Sequence, residues 1–357
     1  MTLLTLPSNR EEAWRWADTA AIAGAAGSAR VGGDPVHDHF LDLPGDRLLF
    51  VDGALHASST LLRAEPARVA ATTHALGGRA TDSAWALRLA PHAVADPVQV
   101  VHLSTGGENH AAAEIVLADD AAATVVETFV GAGWTNRFTR LKLGKAARLQ
   151  RGVRLLQSEG FTSTRDEAEL GVGASLVSIF LGAGAAGSRI DGQIVLAGDA
   201  GYAEYGGVLL TRAEQRQECA VAVRHAEPNG QSRQVWRAVA ADRSQASLAA
   251  RVEVARHAQK TDGEQSLRGL LLDRTAAVNL KPELEIFADD VKCAHGATVG
   301  ELDARALFYM ESRGIPRPRA KGLLTHAFVA DALDRIGDEQ VREAFLADAG
   351  AWLERAL

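Results

Sequence analysis

The sequence is poor in the features that mark secreted and membrane proteins. Its 357 residues include only two cysteines, Cys219 and Cys293, too few for a disulfide framework. No apolar run approaches the roughly 18 residues that a membrane span needs. The N-terminus does not combine a cationic start with an apolar stretch, so no secretion signal is expected. These absences predict a protein of the reducing cytoplasm.

The chain also lacks an excess of positive charge. It has 38 Lys and Arg against 45 Asp and Glu, a formal net charge of −7, which argues against nonspecific binding of nucleic acid or anionic membranes. Hydrophobic residues make up 47% and charged residues 23%, an ordinary globular composition. The length allows one large domain or two to three smaller ones.

Common catalytic and nucleotide motifs are absent as well. The sequence contains no G-x-x-x-x-G-K-[ST], H-E-x-x-H, G-x-S-x-G or C-x-x-C. GAGAAG, with Gly182, Gly184 and Gly187, matches G-x-G-x-x-G, but SRIDGQIVLAG follows it and predicts a turn and a strand. A dinucleotide site needs a helix there. The HDHF stretch, with His37 and His39, is interpreted as a polar surface turn in preference to a metal site.

Residues 1–82 are predicted to form an N-terminal helical and mixed region. Ser8 followed by Glu11 fits a capping box, and Trp14 and Ile22 would then share one helical face. From 24 to 82 the apolar runs are short and assign no architecture.

Residues 83–297 carry many short strands, because turn residues recur about every ten positions. No strong crossover helix is found, which excludes a doubly wound fold and leaves a sandwich, a barrel or a solenoid. More than 200 residues of short strands favour the solenoid. The alanine-rich stretch 244–260 is also compatible with a helix.

Residues 298–357 are predicted to be helical. Thr298 and Glu301 offer a capping box for the first helix, and Gly314 with Pro316 ends it. Two further amphipathic helices are predicted at 320–336 and 339–357. About 60 helical residues cannot bury their apolar faces alone, so we expect them to dock on the solenoid or on a partner.

The stretch ADDVKCAHGATVG (288–300) places Cys293 two residues before His295. On a strand these side chains share one face, as does Val291, after a turn at Asp289 and Asp290. If the strand is buried, the pair is structural. If the strand ends exposed, thiol and imidazole suit iron or zinc, but further ligands must come from another chain.

At this point the sequence resembles a known family. VKCAHGATVGELDARALFYMESRGI (291–315) is similar to the C-terminal signature of the SufB/SufD family of the SUF iron–sulfur cluster assembly system. LPSNREEAWRWAD (6–18), AQKTDGEQSLRGLLLD (258–273), PELEIFADD (282–290) and AKGLLTHAFVADAL (320–333) are also similar. The HGA triplet at 295–297 and the modest length resemble the SufD branch.

The resemblance implies a mainly β fold, a right-handed parallel β-helix with helical regions at both ends. It implies a non-enzymatic scaffold that pairs with a SufB-like paralogue and binds a SufC-like ABC ATPase through the C-terminal helical region. Iron or a nascent iron–sulfur cluster would lie transiently at the interface between the paralogues. Flavin is connected only with the assembled complex, no cofactor is expected on the isolated chain, and self-association without the paralogue is left open.

The resemblance also assigns residues. His295 is implicated as an interfacial ligand of iron or a cluster, with Cys293 as a weaker candidate. The partner-binding residues predicted on the C-terminal helices are Phe308, Tyr309, Arg313, Leu323 and Phe328. Two alternatives are weighed against this function: a β-solenoid enzyme acting on polysaccharide, disfavoured by only 5% aromatic residues, and a nucleotide-binding oxidoreductase built on GAGAAG.

Overall fold

A computed structural model describes residues 6–31, 39–80 and 83–356 of the chain. Most of these residues form a parallel β-solenoid of about eight turns, with helices at the N- and C-terminal ends. The prediction of a mainly β, solenoid architecture flanked by helices is therefore confirmed.

The strands alternate with short turns along almost the whole chain. They are β1 Asp46–Val51, β2 Ala54–Leu55, β3 Ala64–Ala67, β4 Ala84–Leu89, β5 Val98–Leu117, β6 Ala122–Leu143, β7 Arg148–Leu155, β8 Phe161–Leu170, β9 Ser175–Gly182, β10 Gly187–Leu196, β11 Tyr202–Thr211, β12 Arg216–His225, β13 Gln231–Ala240, β14 Gln245–Val254, β15 Asp262–Leu271, β16 Ala277–Ile286 and β17 Lys292–Glu301. The α-helices are α1 Thr19–Ala26, α2 Ala304–Ser312, α3 Arg317–Leu333 and α4 Glu339–Ala356, and 3-10 turns lie at Glu12–Trp14 and Gly77–Arg79.

From β7 onward each turn of the solenoid contains two strands. β10 pairs in parallel with β8 and β12, and β11 pairs in the same way with β9 and β13. In-register parallel strands point matched side chains in one direction, about 4.8 Å apart. Residues about 30 positions apart therefore form columns along the inside of the solenoid, as Ser188 and Gln217 do at a separation of 29. Within the stretch 244–260, residues Gln245–Val254 form β14, a strand rather than a helix.

A cluster of charged side chains is buried inside the solenoid. Arg137 and Arg151 both pair with Glu127 and Asp166, and the Tyr205 hydroxyl donates to Asp166 Oδ2 at 2.7 Å. Burial favours the neutral acid, but the two guanidinium groups outweigh it and hold the pKa of Asp166 below its ordinary value. No sequence motif predicted this cluster.

The predicted N-terminal helix is shorter and begins later than the capping box indicated. Ser8 N does bond Glu11 Oε1, at 3.3 Å, but only a 3-10 turn follows. The α-helix starts at Thr19, because the Asp18 carboxylate accepts from Ala21 N and caps it there. Trp14 and Ile22 are nevertheless buried in one cluster.

The first end of the solenoid is closed by residues of the 24–82 region, for which the sequence predicted no architecture. β1 pairs in parallel with β5 and antiparallel with β2, and its Leu48 and Phe50 are 0% and 1% exposed. The Asp46 carboxylate accepts hydrogen bonds from the backbone N–H groups of three residues in the following loop, at 2.6 to 3.0 Å; they are Leu62, Arg63 and Ala64. The chain thus folds back over its first strand.

The last strand continues past the predicted end of the solenoid core at 297. Thr298 and Glu301 lie in β17 and pair with Arg268 and Leu271, so the predicted capping box is wrong. The helix α2 begins at Ala304, where Asp303 Oδ1 accepts from Arg305 N. The division into three domains stays a prediction.

The two longer C-terminal helices dock on the side of the solenoid, as expected from their apolar faces. Phe345 and Trp352 of α4 and Val329 of α3 are fully buried. They belong to one cluster with residues of β11 and β13, including Val208 and Val239. The α3 helix runs from Arg317, three residues before its predicted start.

Candidate functional site

The last turn of the solenoid ends in two open edges. In the registers of the described strands, β16 pairs only with β14 and β17 pairs only with β15, so each leaves its outer backbone edge unpaired. Apolar side chains are exposed here, with Ile286, Phe287 and Val299 at 39%, 59% and 45%. An unpaired strand edge beside exposed apolar groups is the kind of surface that a second chain can extend.

Cys293 and His295 lie on this last strand. Their register partners on β15 are Gly263 and Gln265, both buried, so the two side chains face the inside of the solenoid at its open end. Asp289 and Asp290 form the predicted bend before β17. The prediction that Cys293 and His295 share one face of a strand is therefore confirmed.

The two side chains differ in exposure. Cys293 is half-buried and packs with Val291 against a cluster that contains Val252 and Val254, whereas His295 is exposed. Partial burial raises the pKa of the Cys293 thiol, although a backbone hydrogen bond with Gly263 acts in the other direction. The thiol is thus held in its neutral form, and the imidazole is the more accessible of the two.

The pair fits half of a metal site. Thiolate sulfur and imidazole nitrogen are donors that iron accepts. The described part of the chain brings no group of three or more His, Cys, Asp or Glu side chains together for a metal ion. Any ion or cluster held by His295 therefore needs ligands beyond those that the described residues bring together.

Gln265, which no sequence motif singled out, lies directly beneath His295 in the register. It is 1% exposed. Its position could have been found from the spacing of about 30 residues between neighbouring turns, had that spacing been recognised.

The five residues predicted to bind a partner are placed in two ways. Phe308, Tyr309 and Leu323 are 72%, 60% and 48% exposed, and Arg313 is exposed with its guanidinium over the Tyr309 ring. Phe328 instead packs against the cluster that docks α3 and α4 on the solenoid. The first four side chains are exposed at the surface of this chain, whereas Phe328 is partly buried against the chain's own core.

The GAGAAG stretch connects two strands. Gly182 ends β9 and Gly187 begins β10, and the chain after it is a strand rather than a helix. The helix N-terminus that would face a pyrophosphate is therefore missing from residues 187–196. His37 lies outside the described residues, so the reading of HDHF as a turn is not tested there.

A cavity of about 710 Å³ lies between the N-terminal segment and one outer face of the solenoid. The Arg189 guanidinium stacks on Trp14 at 3.9 Å and pairs with Asp191 and Glu218 at 2.7 and 2.9 Å. Burial raises the pKa of Glu218 to about 7, because Arg189 is shared with Asp191 and compensates Glu218 only partly. The buried charged side chains at this cavity therefore form ion pairs with one another.

The helices described here give no sign of a membrane segment. None of them combines the length and the apolar character needed to cross a bilayer.

Comparison with known proteins identifies one family. The family model for the SUF system FeS cluster assembly SufBD core domain matches residues 101–328, which begin within β5, end within α3 and include β16 and β17. The match therefore spans most of the solenoid and the candidate site.

Individual relatives agree with this match. The chain is 31% identical to the iron–sulfur cluster assembly protein SufD of Escherichia coli over 267 residues, which is 72% of this chain and 63% of that protein. It is 38% identical over 129 residues to a SufBD family protein of Synechocystis, covering 36% of this chain and 28% of that one. A chloroplast protein of Arabidopsis thaliana, ABCI7, is 40% identical over 117 residues, 32% of this chain and 25% of its own length. The chain thus aligns with less than two thirds of each.

Proposed function

Because the chain belongs to the SufBD family of the SUF iron–sulfur cluster assembly system, we propose that it is a scaffold subunit that pairs with a SufB-like paralogue through the open end of its solenoid. A nascent cluster, or its iron, is the cargo of that interface. The observation that carries this proposal is the pair of unpaired, partly apolar edge strands β16 and β17 with His295 among them.

The open end supports pairing for two physical reasons. A second solenoid with matching edge strands would satisfy the free backbone groups of β16 and β17 by extending the sheet. It would also cover Ile286, Phe287 and Val299. A paralogue suits this role because its last turn would have the same strand spacing.

His295 is the main ligand that this chain contributes. Its imidazole is exposed at the interface, and the missing ligands would come from the paralogue. Cys293 is the secondary candidate, since the thiol is half-buried and its proton is held more tightly than usual. Flavin is expected only in the assembled complex.

The C-terminal helices are proposed as the contact for a SufC-like ABC ATPase. Phe308, Tyr309 and Arg313 are exposed on or directly after α2, and Leu323 is exposed on α3. Only two residues separate Glu301 at the end of β17 from Ala304 at the start of α2. Movement imposed on α2 by nucleotide binding would therefore reach the strand that carries His295.

In this proposal the chain itself is not an enzyme and acts in the cytoplasm. The oxidoreductase alternative is weakened by the strand that follows GAGAAG. The polysaccharide-acting alternative would predict binding to oligosaccharides, and it would leave the open end without a role.

The test is co-expression with the SufB-like and SufC-like proteins of the same organism, with a purification tag on this chain. We expect a complex of all three, with a cluster formed after anaerobic addition of iron and a sulfur donor. His295→Ala should leave the complex intact and reduce the cluster absorbance strongly, and Cys293→Ser should reduce it less. His326→Ala, on α3, is the control.

Two results would contradict the proposal. If the chain purifies alone under conditions where the other two proteins are present, the scaffold function is wrong. If the complex forms and His295→Ala loads as much cluster as the wild type, the assignment of the ligand is wrong and the pairing stands.

A further inference from the structure

Three polar side chains follow one another inside the last turns of the solenoid. Gln234 on β13 is in register with Gln265 on β15, and Gln265 is in register with His295 on β17. Each step is one strand spacing of about 4.8 Å, and in-register parallel strands direct all three side chains to the same face. They therefore form a column that reaches the open end at His295.

The column is buried up to its last member. Gln234 is 0% exposed and Gln265 is 1% exposed. The Gln234 amide nitrogen donates to the Arg251 carbonyl at 3.0 Å, but Gln234 Oε1 has no hydrogen-bond partner among the described residues. Within the same part of the chain, neither Gln265 Nε2 nor Gln265 Oε1 has one. Buried amide atoms without partners are rare, because their lost hydration is not replaced.

The three unpartnered atoms are complementary. Since the Gln234 nitrogen is already engaged, its remaining atom is an acceptor, and Gln265 Nε2 is a donor one strand away. Gln265 Oε1 is then left as an acceptor beneath the exposed imidazole of His295. A hydrogen-bonded column requires the Gln265 side chain to reorient toward these two neighbours.

We propose that Gln265 is a positioning residue for His295. In this arrangement Gln234 Oε1 accepts from Gln265 Nε2, and Gln265 Oε1 accepts from one ring N–H of His295. A neutral imidazole has a single N–H, so its other nitrogen is left with a free lone pair toward the open end. Ligating histidines in proteins are commonly fixed in this way by an acceptor on the far nitrogen.

This inference rests on the proposed function for its purpose but not for its test. It also distinguishes the two candidate ligands, because the register partner of Cys293 is Gly263, which has no side chain to orient a thiol. Of the two candidates, only His295 has a polar side chain as its register partner.

The experiment measures the tautomer of His295 in the isolated chain. Protein with ¹⁵N-labelled histidine is examined by two-bond ¹H–¹⁵N correlation at about pH 8, where a free imidazole is neutral. The His295 signals are assigned by their disappearance in His295→Ala. We expect one tautomer in the wild type and a mixture of both in Gln265→Met, which keeps the side-chain length and removes both polar atoms.

A second variant separates hydrogen bonding from shape. Gln265→Glu keeps an acceptor beneath His295 and should retain the single tautomer. A mixture in the wild type, a single tautomer in Gln265→Met, or a mixture in Gln265→Glu would each overturn the proposal. Matching urea unfolding curves establish that the variants are folded.

The failure of this inference and that of the proposed function are distinguishable. If the co-purification with the SufB-like and SufC-like proteins fails while the tautomer responds to Gln265→Met, the function is wrong and the column stands. If the complex forms and the tautomer does not respond, the column is wrong and the function stands.

Discussion

The two ends of the solenoid are built differently. At the first end, β1 is covered by the chain that folds back over it, and Leu48 and Phe50 are 0% and 1% exposed. At the last end, β16 and β17 are the final turn, and Ile286 and Val299 remain 39% and 45% exposed. The solenoid is thus covered at its first end and uncovered at its last end, where a partner is proposed to bind. The proposed pairing with a paralogue rests on this difference.

The largest expected effect compares two phenylalanines, one from each end. Phe50→Ala removes a buried ring that stacks on His102, and should lower the free energy of unfolding by about 3–5 kcal/mol. Phe287→Ala removes a ring that is 59% exposed, and should change it by less than about 0.5 kcal/mol. Urea unfolding of the isolated chain measures both. Equal losses would show that the last end contributes to stability as the first does.

The free energy of unfolding should depend on pH through the buried carboxyl group of Glu218. The pKa of Glu218 in the folded chain, about 7, is above its ordinary value of 4.5, so the folded state binds the proton more tightly than the unfolded state. Stability from this group is present below about pH 4.5 and is lost as the pH rises to about 7, up to about 3 kcal/mol.

Glu218→Gln is the variant that tests this. It should flatten the unfolding free energy between pH 5 and pH 8, measured in urea. Glu283→Gln, a change on the exposed part of the same cavity, serves as the control. An unchanged pH profile in Glu218→Gln would remove Glu218 as the source.

The third prediction tests how the first end is closed. Asp46→Ala leaves three backbone N–H groups of the covering loop without their acceptor, and should cost about 1–3 kcal/mol. Asp290→Ala, at the exposed bend before β17, should change the unfolding free energy by less than about 0.5 kcal/mol. If Asp46→Ala were neutral in urea unfolding, the carboxylate would not be what closes this end.

The smallest effect on stability is expected at the open edge. Val299→Lys places a charge on the apolar part of β17 and should alter the unfolding free energy by less than about 0.5 kcal/mol. A lysine on an edge strand opposes pairing with another chain, so recovery of the SufB-like protein in co-purification should fall strongly. Unimpaired recovery would place the interface elsewhere.

Much of the fold could be predicted because strand spacing and turn residues are local signals. The solenoid class, the C-terminal helices and the shared face of Cys293 and His295 all follow from such signals. Two helix starts were predicted wrongly. Thr298 and Glu301 continue a strand for a tertiary reason, because β15 offers them pairing partners. At the first helix the reason is local, since Asp18 provides the cap instead of Ser8.

Other features depend on contacts between turns, which a single sequence does not display. The exposure of His295 follows from β17 being the last paired strand, and no property of the residues 291–297 themselves reveals this. Asp166 meets Arg137, 29 positions away, only because neighbouring turns stack. For the same reason, the position of Gln265 beneath His295 was not predicted.

The most direct test of the central claim is hydrogen–deuterium exchange of this chain, alone and after co-purification with the SufB-like and SufC-like proteins. The account predicts fast exchange of outer-edge amides in β16 and β17 in the isolated chain and strong protection of the same amides in the complex. The amides of β1 should be protected in both states. Unchanged exchange across 277–301 on complex formation would contradict the claim that the open end of the solenoid is the interface.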